Sequence, residues 1–403
     1  MIAPRVLVVA DYFLPGFRAG GPIRAIANSV DRLSGSLTFA VVTRDHDTDG
    51  APYPDVHSGA WNGTPNGAVY YAPRLTRGVL ETCVRESAAD VIWLNSFFSR
   101  ASLRVLLLRR LRRLTTPVLL SPRGELSPGA LSQKRLRKTL AIWGLRSCGF
   151  LRDIQWVASS DLEADEIRTT VGGSAIAVVP ESVHEPLAPG LWPVKRQDAL
   201  RMVFASRIDA KKNLPFLLEA LADVEGRIHL DVIGPVEHAA CWEECRRRIK
   251  RLPANITVAY CGELPHAELA QRLRAYDVMA LPTLGENFGH VIVEAWAAGC
   301  PVLVSDRTPW RNLVGDGGGW DLPLERARWV DALERCVALN GDEHAALRQR
   351  ALERAGRVWQ DGIRGDETLK QLIAAVARGD RRTESMPAVS ADGKANANPT
   401  PCR

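Results

Sequence analysis

The chain has 403 residues, enough for two to three domains, with 46% hydrophobic and 24% charged residues and a formal net charge of +6. These values suit a globular protein, and no apolar run reaches the ~18 residues of a membrane span. The opening MIAPRVLVVADYF lacks a charged lead and a cleavage site, so it reads as a first strand and a cytoplasmic location is expected.

Val6 to Ala10 is a continuous apolar run, the pattern of a buried parallel strand. Gly20 and Gly21 follow. Pro22 then sits at a helix-start position, and Ile23, Ile26, Ala27, Val30 and Leu33 recur at helical spacing. Strand, glycine loop and helix make up the ligand loop of a doubly wound sheet; a tight turn is the plain alternative. The spacing is not G-x-G-x-x-G, so a nicotinamide cofactor is not indicated.

Leu37 to Thr43 reads as a second strand. Arg44 to Asn66 reads as a long functional or mobile loop. Further strands are expected at Val69–Tyr71, Asp90–Asn95, Pro117–Ser121, Trp156–Ser159 and Ala175–Pro180. Their C-terminal ends deliver Asn95 and Arg123 to the same edge as Gly20. The proline-rich segment from Glu181 to Ala199 reads as a linker.

A second strand–helix series begins at Leu200. Arg207 follows the strand and Lys212 opens the next helix, which makes an anion clamp or, more plainly, two exposed cations at a turn. Strands at Ile228–Ile233 and Ile256–Tyr260 end in Gly234 and Gly262.

The most informative stretch is LPTLGENFGHVIVEAWAAGCPVLVSD, from Leu281 to Asp306. It reads as strand, glycine loop, helix from Phe288 to Ala298, then strand. Glu286 precedes the helix start and Glu294 lies inside it. Between them, near Gly289 and His290, are free amides and the positive end of the helix dipole, a ready diphosphate site. The flanking carboxylates suit hydroxyl groups of a ribose and a sugar ring. Two glutamates on a solvated helix face are the bland alternative, and Arg207 and Lys212 weigh against it. The final helical pattern runs from Arg350 to about Ala377, and from Arg378 the chain reads as disordered.

Three basic clusters stand out: Arg109, Arg110, Arg112 and Arg113; Lys134, Arg135, Arg137, Lys138 and Arg146; and Arg246, Arg247, Arg248, Lys250 and Arg251. Each is either a solvated helix face or a surface for a lipid phosphate or anionic membrane. No nucleic-acid-binding motif accompanies them, so no nucleic-acid partner is expected. The eight cysteines are scattered without zinc spacing and read as reduced packing residues.

These motifs resemble the retaining glycosyltransferases of family four, with a similarity covering most of the chain to about residue 375. SRIDAKKNL is similar to that family's arginine–lysine motif, and GENFGHVIVEAWAAGCPVLVSD to its E-x7-E motif and following strand. SPRGELSPGAL and the Gly-Gly loop are weaker matches, to relatives that build bacterial exopolysaccharides. The resemblance implies a GT-B fold, in which two facing Rossmann-like doubly wound parallel-sheet domains enclose a cleft. The implied division is 1–185 for the acceptor domain, 186–199 for a linker, 200–360 for the donor domain, 361–377 for a helix crossing back, and 378–403 for the tail.

The resemblance further implies a nucleotide-sugar donor, a UDP- or GDP-sugar, and a glycan or lipid-linked acceptor, with no catalytic metal or resident cofactor. Arg207, Lys212 and Glu286 would be catalytic. Gly20, Gly21, Gly234, Asn287, Phe288, Gly289, His290 and Glu294 would bind the donor. Asn95 and Arg123 would lie on the acceptor side. Two positions depart from the family: Asn95 stands where many relatives have histidine, and Pro180-Glu181-Ser182 replaces Pro-Asn-Gly. A sugar phosphorylase and a non-catalytic nucleotide-sugar-binding subunit are the alternative functions.

Overall fold

The computed structural model describes residues 3–132, 135–186 and 192–380. Its first part carries β1 (Arg5–Val9), α1 (Gly21–Leu33), β2 (Thr38–Arg44), β3 (Trp61–Thr64), β4 (Gly67–Ala72), α2 (Arg77–Ser87) and β5 (Val91–Asn95). There follow α3 (Arg100–Arg110), β6 (Val118–Ser121), α4 (Pro128–Ser132), α5 (Arg135–Ser147), β7 (Ile154–Ala158), α6 (Asp161–Val171) and β8 (Ile176–Val178). Among the described residues these strands form one sheet in the order β3-β4-β2-β1-β5-β6-β7-β8. Every pairing in it is parallel except the β3–β4 hairpin. Alternate side chains of β1 explain its unbroken apolar run. Leu7 and Val9 enter one core, and Val6 and Val8 enter the core on the opposite face.

The second part carries β9 (Ala199–Ala205), α7 (Leu214–Leu221), β10 (Arg227–Ile233), α8 (Ala239–Ile249), β11 (Ile256–Tyr260), α9 (His266–Leu273) and β12 (Val278–Leu281). It continues with α10 (His290–Ala297), β13 (Val302–Ser305), α11 (Leu313–Asp316), β14 (Gly319–Leu322), α12 (Arg326–Ala338) and α13 (Gly341–Ala377). Its all-parallel sheet runs β11-β10-β9-β12-β13-β14. A single large core, including Phe204, Leu217, Met279, Trp296 and Trp329, packs around it.

Three expectations change. The stretch from Arg44 to Asn66 is not wholly loop. Its end folds as β3, whose Trp61 packs edge-on against Tyr70 of β4, with ring centroids 5.3 Å apart. Four residues with two small ones, Asn62 and Gly63, carry too little alternation to mark a strand. The elements from α11 through α12 were also not anticipated. Finally, no break falls at residue 360, because α13 is one helix of 37 residues. Asn340 caps it with a full capping box to Glu343.

That helix serves both cores. Ala351, Ala355 and Val358 pack in the second domain, while Leu369, Leu372 and Ile373 pack in the first. Between these sets, Gly362 and Gly365 let the helix lie against the backbone of Pro180 and Glu181. A Cβ at Gly365 would come within 2.4 Å of the Pro180 carbonyl oxygen. Asp366 locks the crossing, accepting from Arg32 at 2.9 Å and from Ser182 Oγ at 3.1 Å. Part of the expected linker, 187–191, and the expected tail from 381 lie outside the described residues.

Candidate active site

The C-terminal edges of both sheets face one cavity of about 370 Å³. Its second-domain wall is set by backbone. After β9 the chain turns through Arg207 to Asn213, and Asp209 Oδ1 accepts the Lys212 amide at 2.9 Å. The Lys211 carbonyl accepts the Leu284 amide at 2.7 Å, which ties this turn to the loop after β12. Ser305 Oγ donates to the Thr283 carbonyl at 2.5 Å, and the Glu286 amide donates to the Arg307 carbonyl at 3.0 Å. The loop carrying Glu286 is therefore held from two sides, by backbone bonds to Lys211 and Arg307 and by the Ser305 hydroxyl.

Gly289, at φ 80°, turns the chain into α10, and no side chain caps that helix start. Its amides and dipole are left for an anion. The Trp310 indole donates to the Phe288 carbonyl at 2.6 Å, and the Phe288 ring lies 4.7 Å from that of His290. Glu294 is the fifth residue of α10, so it lies little more than one turn in.

Arg207, Lys212, Gly234, Glu286, Asn287, Phe288, Gly289, His290 and Glu294 all line the cavity, and so do Gly20, Gly21 and Arg123 of the first domain. Lys212 donates to Glu286, with both side chains nearly buried. Arg207 Nη1 donates to both oxygens of Glu237 at 2.9 Å. Burial alone would push the Glu294 carboxyl up. The 2.8 Å hydrogen bond from His266, with the positive field of His266 and Arg24, outweighs it and holds Glu294 below the ordinary carboxylate range. Burial keeps the His290 ring below the usual histidine value despite Glu181 and Glu294, so it is neutral at pH 7.

Asn95 is the exception. It is buried and does not line the cavity. Its Oδ1 accepts from Arg123 Nη2 at 2.8 Å, and Arg123 Nη1 donates to Glu181 at 2.5 Å. Asn95 therefore positions Arg123 and does not itself face a ligand, because the strand end turns its amide inward.

The two domains meet closely around the α10 loop. A Cβ on Gly21 would lie 2.7 Å from the His290 ring, and one on Gly124 would lie 2.5 Å from the Asn287 Cβ. Asn287 Nδ2 donates to Ser159 Oγ at 3.2 Å, and Arg18 Nη2 bridges to Glu263 at 2.5 Å. Sequence reasoning missed Arg18, Arg24, Lys211, Glu181, Glu263 and His266, all on the cavity wall. Lys211 was signalled by its neighbour Lys212. Glu181 stood in the Pro180-Glu181-Ser182 departure without a role assigned to it, and the others sit in segments whose own pattern is silent.

Residues 199–338 match the model of the family described as "Glycosyl transferases group 1". The second domain is a group 1 glycosyltransferase domain. The chain is 28% identical over 212 residues to a phosphatidyl-myo-inositol mannosyltransferase of Mycolicibacterium smegmatis, covering 50% of this chain and 52% of that one. It is 32% identical over 191 residues to a D-inositol 3-phosphate glycosyltransferase of Geodermatophilus obscurus, covering 44% of this chain and 40% of that protein. The matches thus span about half the length of these relatives.

The likeness in structure is broader. Anabaena HepE, crystallised with UDP and glucose, superposes with a TM-score of 0.68 at 18% identity over 92% of this chain and 99% of that one. Sucrose-phosphate synthase of Thermosynechococcus elongatus superposes at 0.71 and 17% identity, over 92% and 100%. The architecture is the GT-B fold, with the group 1 domain as its second half.

Proposed function

We propose that this protein is a retaining glycosyltransferase. It would move a sugar from a nucleoside diphosphate sugar, with uracil or guanine as base, to a glycan or lipid-linked acceptor in cell-surface polysaccharide synthesis. The observation that carries the reading is the convergence of Arg207, Lys212, Glu286, Glu294 and the uncapped start of α10 on one interdomain cavity. The group 1 match of the second domain and the UDP and glucose found in HepE support it.

The chemistry follows from charge. As the glycosidic bond to the diphosphate breaks, negative charge grows on the leaving oxygen. Arg207, Lys212 and the α10 amides would face that charge as donors already held in place, which need no reorganisation as the bond breaks. Arg207 is steadied by Glu237 at Nη1 and, more loosely, by Asp209 4.0 Å from Nη2, and from that position on the cavity wall its charge would face the phosphate. Glu286 would accept from the sugar hydroxyls, and Glu294, ionised at pH 7, from the ribose. Neutral His290 would donate or accept a hydrogen bond without adding charge. Retention would come from attack on the face the diphosphate leaves, with the departing phosphate taking the acceptor's proton. That route asks for no protein base at position 95, and it assigns no metal to the charge on the leaving group.

Calorimetric titration with UDP, GDP and other nucleoside diphosphates would identify the base. Arg207→Ala and Glu294→Ala should each lower donor-dependent transfer about a hundredfold, the usual cost of one such group. Full activity in both purified variants would refute these roles. Glycan breakdown driven by orthophosphate would instead mark a phosphorylase.

A further inference from the structure

The helix α5 carries an unpartnered apolar stripe. Leu136, Leu140 and Trp143 are 80%, 66% and 68% exposed. Their spacing of four and three residues places them within about 60° of one another on one helix face. The opposite face carries Ile142, which is buried in the first-domain core, with Leu145 packed against the same cluster. Three large apolar side chains together on a solvent face mark an interaction surface, whereas scattered single ones do not.

The charges beside the stripe name the partner. Arg137 lies on one flank, with Arg135 and Arg146 on the other, each roughly 90–110° from the stripe centre. Arg135 and Arg137 form no ion pair among the described residues, and Arg146 donates only to the Thr170 carbonyl. Next to the end of α5, Arg110 donates to the Cys148 carbonyl, and Leu111 is 54% exposed. The cluster on α8 differs: Arg246, Arg247 and Arg248 pair with Glu243, Glu244 and Glu219. Basic sequence alone therefore does not separate the two. Among the described residues, only α5 joins unneutralised arginines to exposed leucine and tryptophan.

We propose that α5 docks the protein on an anionic bilayer. Leu136, Leu140 and Trp143 would enter the headgroup boundary, and Arg135, Arg137 and Arg146 would meet lipid phosphates on either side. The segment 381–403 is a poor cover for the stripe, since Met386 and Val389 are its largest apolar side chains apart from proline. The placement also suits delivery of an acceptor. Lys138 of α5 lies over the Phe98 ring, 5.0 Å from its centroid, and Phe98 belongs to the loop leaving β5 beside Asn95 and the Arg123 wall. The inference goes beyond the donor chemistry and does not depend on it.

The test is sedimentation of the full chain with phosphatidylcholine vesicles, with and without phosphatidylglycerol. Binding should require the anionic lipid and weaken with salt. The variant L136S/L140S/W143S should lose at least tenfold in partitioning. R135Q/R137Q/R146Q should lose about a hundredfold on anionic vesicles, since each arginine near such a surface is worth about fivefold. All six side chains are on the surface, so unchanged thermal melting is expected. Absence of wild-type binding, or wild-type binding by both variants, would overturn the proposal. So would a wild-type dimer that the apolar variant turns into a monomer, because the stripe would then be a contact between copies. Parallel loss of nucleotide binding would also overturn it, and retained nucleotide binding with lost vesicle association would support it.

Discussion

The two walls of the cavity are made by different means. The second-domain wall is mainly a backbone construction, in which bonds at the Lys211 carbonyl and the Glu286 amide, with the Ser305 hydroxyl on the Thr283 carbonyl, lock neighbouring loops together. The first-domain wall is a side-chain construction. Asn95, Arg123 and Glu181 come from three separate strand ends and hold one another through charge-assisted hydrogen bonds. A backbone-built wall keeps its shape when one side chain changes and loses only that side chain's chemistry. A side-chain-built wall should lose its shape when any member is removed.

The largest expected effect tests the first half of that contrast. Lys212 and Glu286 form one buried pair at the cavity. Lys212→Ala and Glu286→Ala should each reduce transfer a hundredfold or more, since each removes a donor-facing group and leaves its partner unpaired. If they act as a unit, the double variant should be little worse than either single one. Multiplicative losses in kcat/KM would mean that the two work separately.

The same contrast explains how much could be read in advance. Glu286, Gly289 and Glu294 lie within nine residues, and their local pattern of strand, loop and helix places them without knowledge of anything distant. Arg207 and Lys212 are equally local. Asn95 and Arg123 were found as strand ends, but the partner of Arg123 is Glu181, 58 positions along, at a departure from the family motif. Nothing in a periodicity reveals that pairing. His266 was likewise silent, although it fixes Glu294. The helical pattern read from Arg350 to about Ala377 already ran through residue 360, where only the resemblance implied a division, and it includes Gly362 and Gly365. Each costs the helix about 1 kcal/mol relative to alanine, and the close passage over Pro180 accounts for their presence.

A middle-sized effect concerns where the two walls touch. Gly20 has φ 77° with open space around its Cβ position, so Gly20→Ala should cost about 1–2 kcal/mol of backbone strain within the first domain. Gly21→Ala should act differently, because its Cβ meets His290 across the cleft. It should leave melting of the first domain nearly unchanged and weaken nucleotide binding about tenfold, as a misplacement of the facing helix starts would. Calorimetry alongside thermal melting separates the two. Equal losses of stability from both substitutions would show that Gly21 has a local role and that the domains do not press together at His290.

The smallest effect lies behind the first-domain wall and is set by pH. Glu163 is buried, accepting the Gly124 amide at 2.6 Å and the Ser159 amide and hydroxyl at 2.7 Å each, so it braces the loops that meet Asn287. Burial, with the charge of Glu163 added to it, pushes the neighbouring Glu166 carboxyl up to about 7. The folded chain therefore keeps a proton on Glu166 that the unfolded chain has already released. Below the ordinary carboxylate range both states hold it and nothing is lost. From that range up to about pH 7 stability falls as pH rises, and above 7 the loss is complete. Glu166→Gln should melt with the wild type at pH 4 and about 2–4 °C higher at pH 8, equivalent to about 1 kcal/mol once screening of this half-exposed carboxyl is allowed for. A variant that gains equally at both values would owe its stability to packing, and the braced carboxylate of Glu163 would then exert no field on its neighbour.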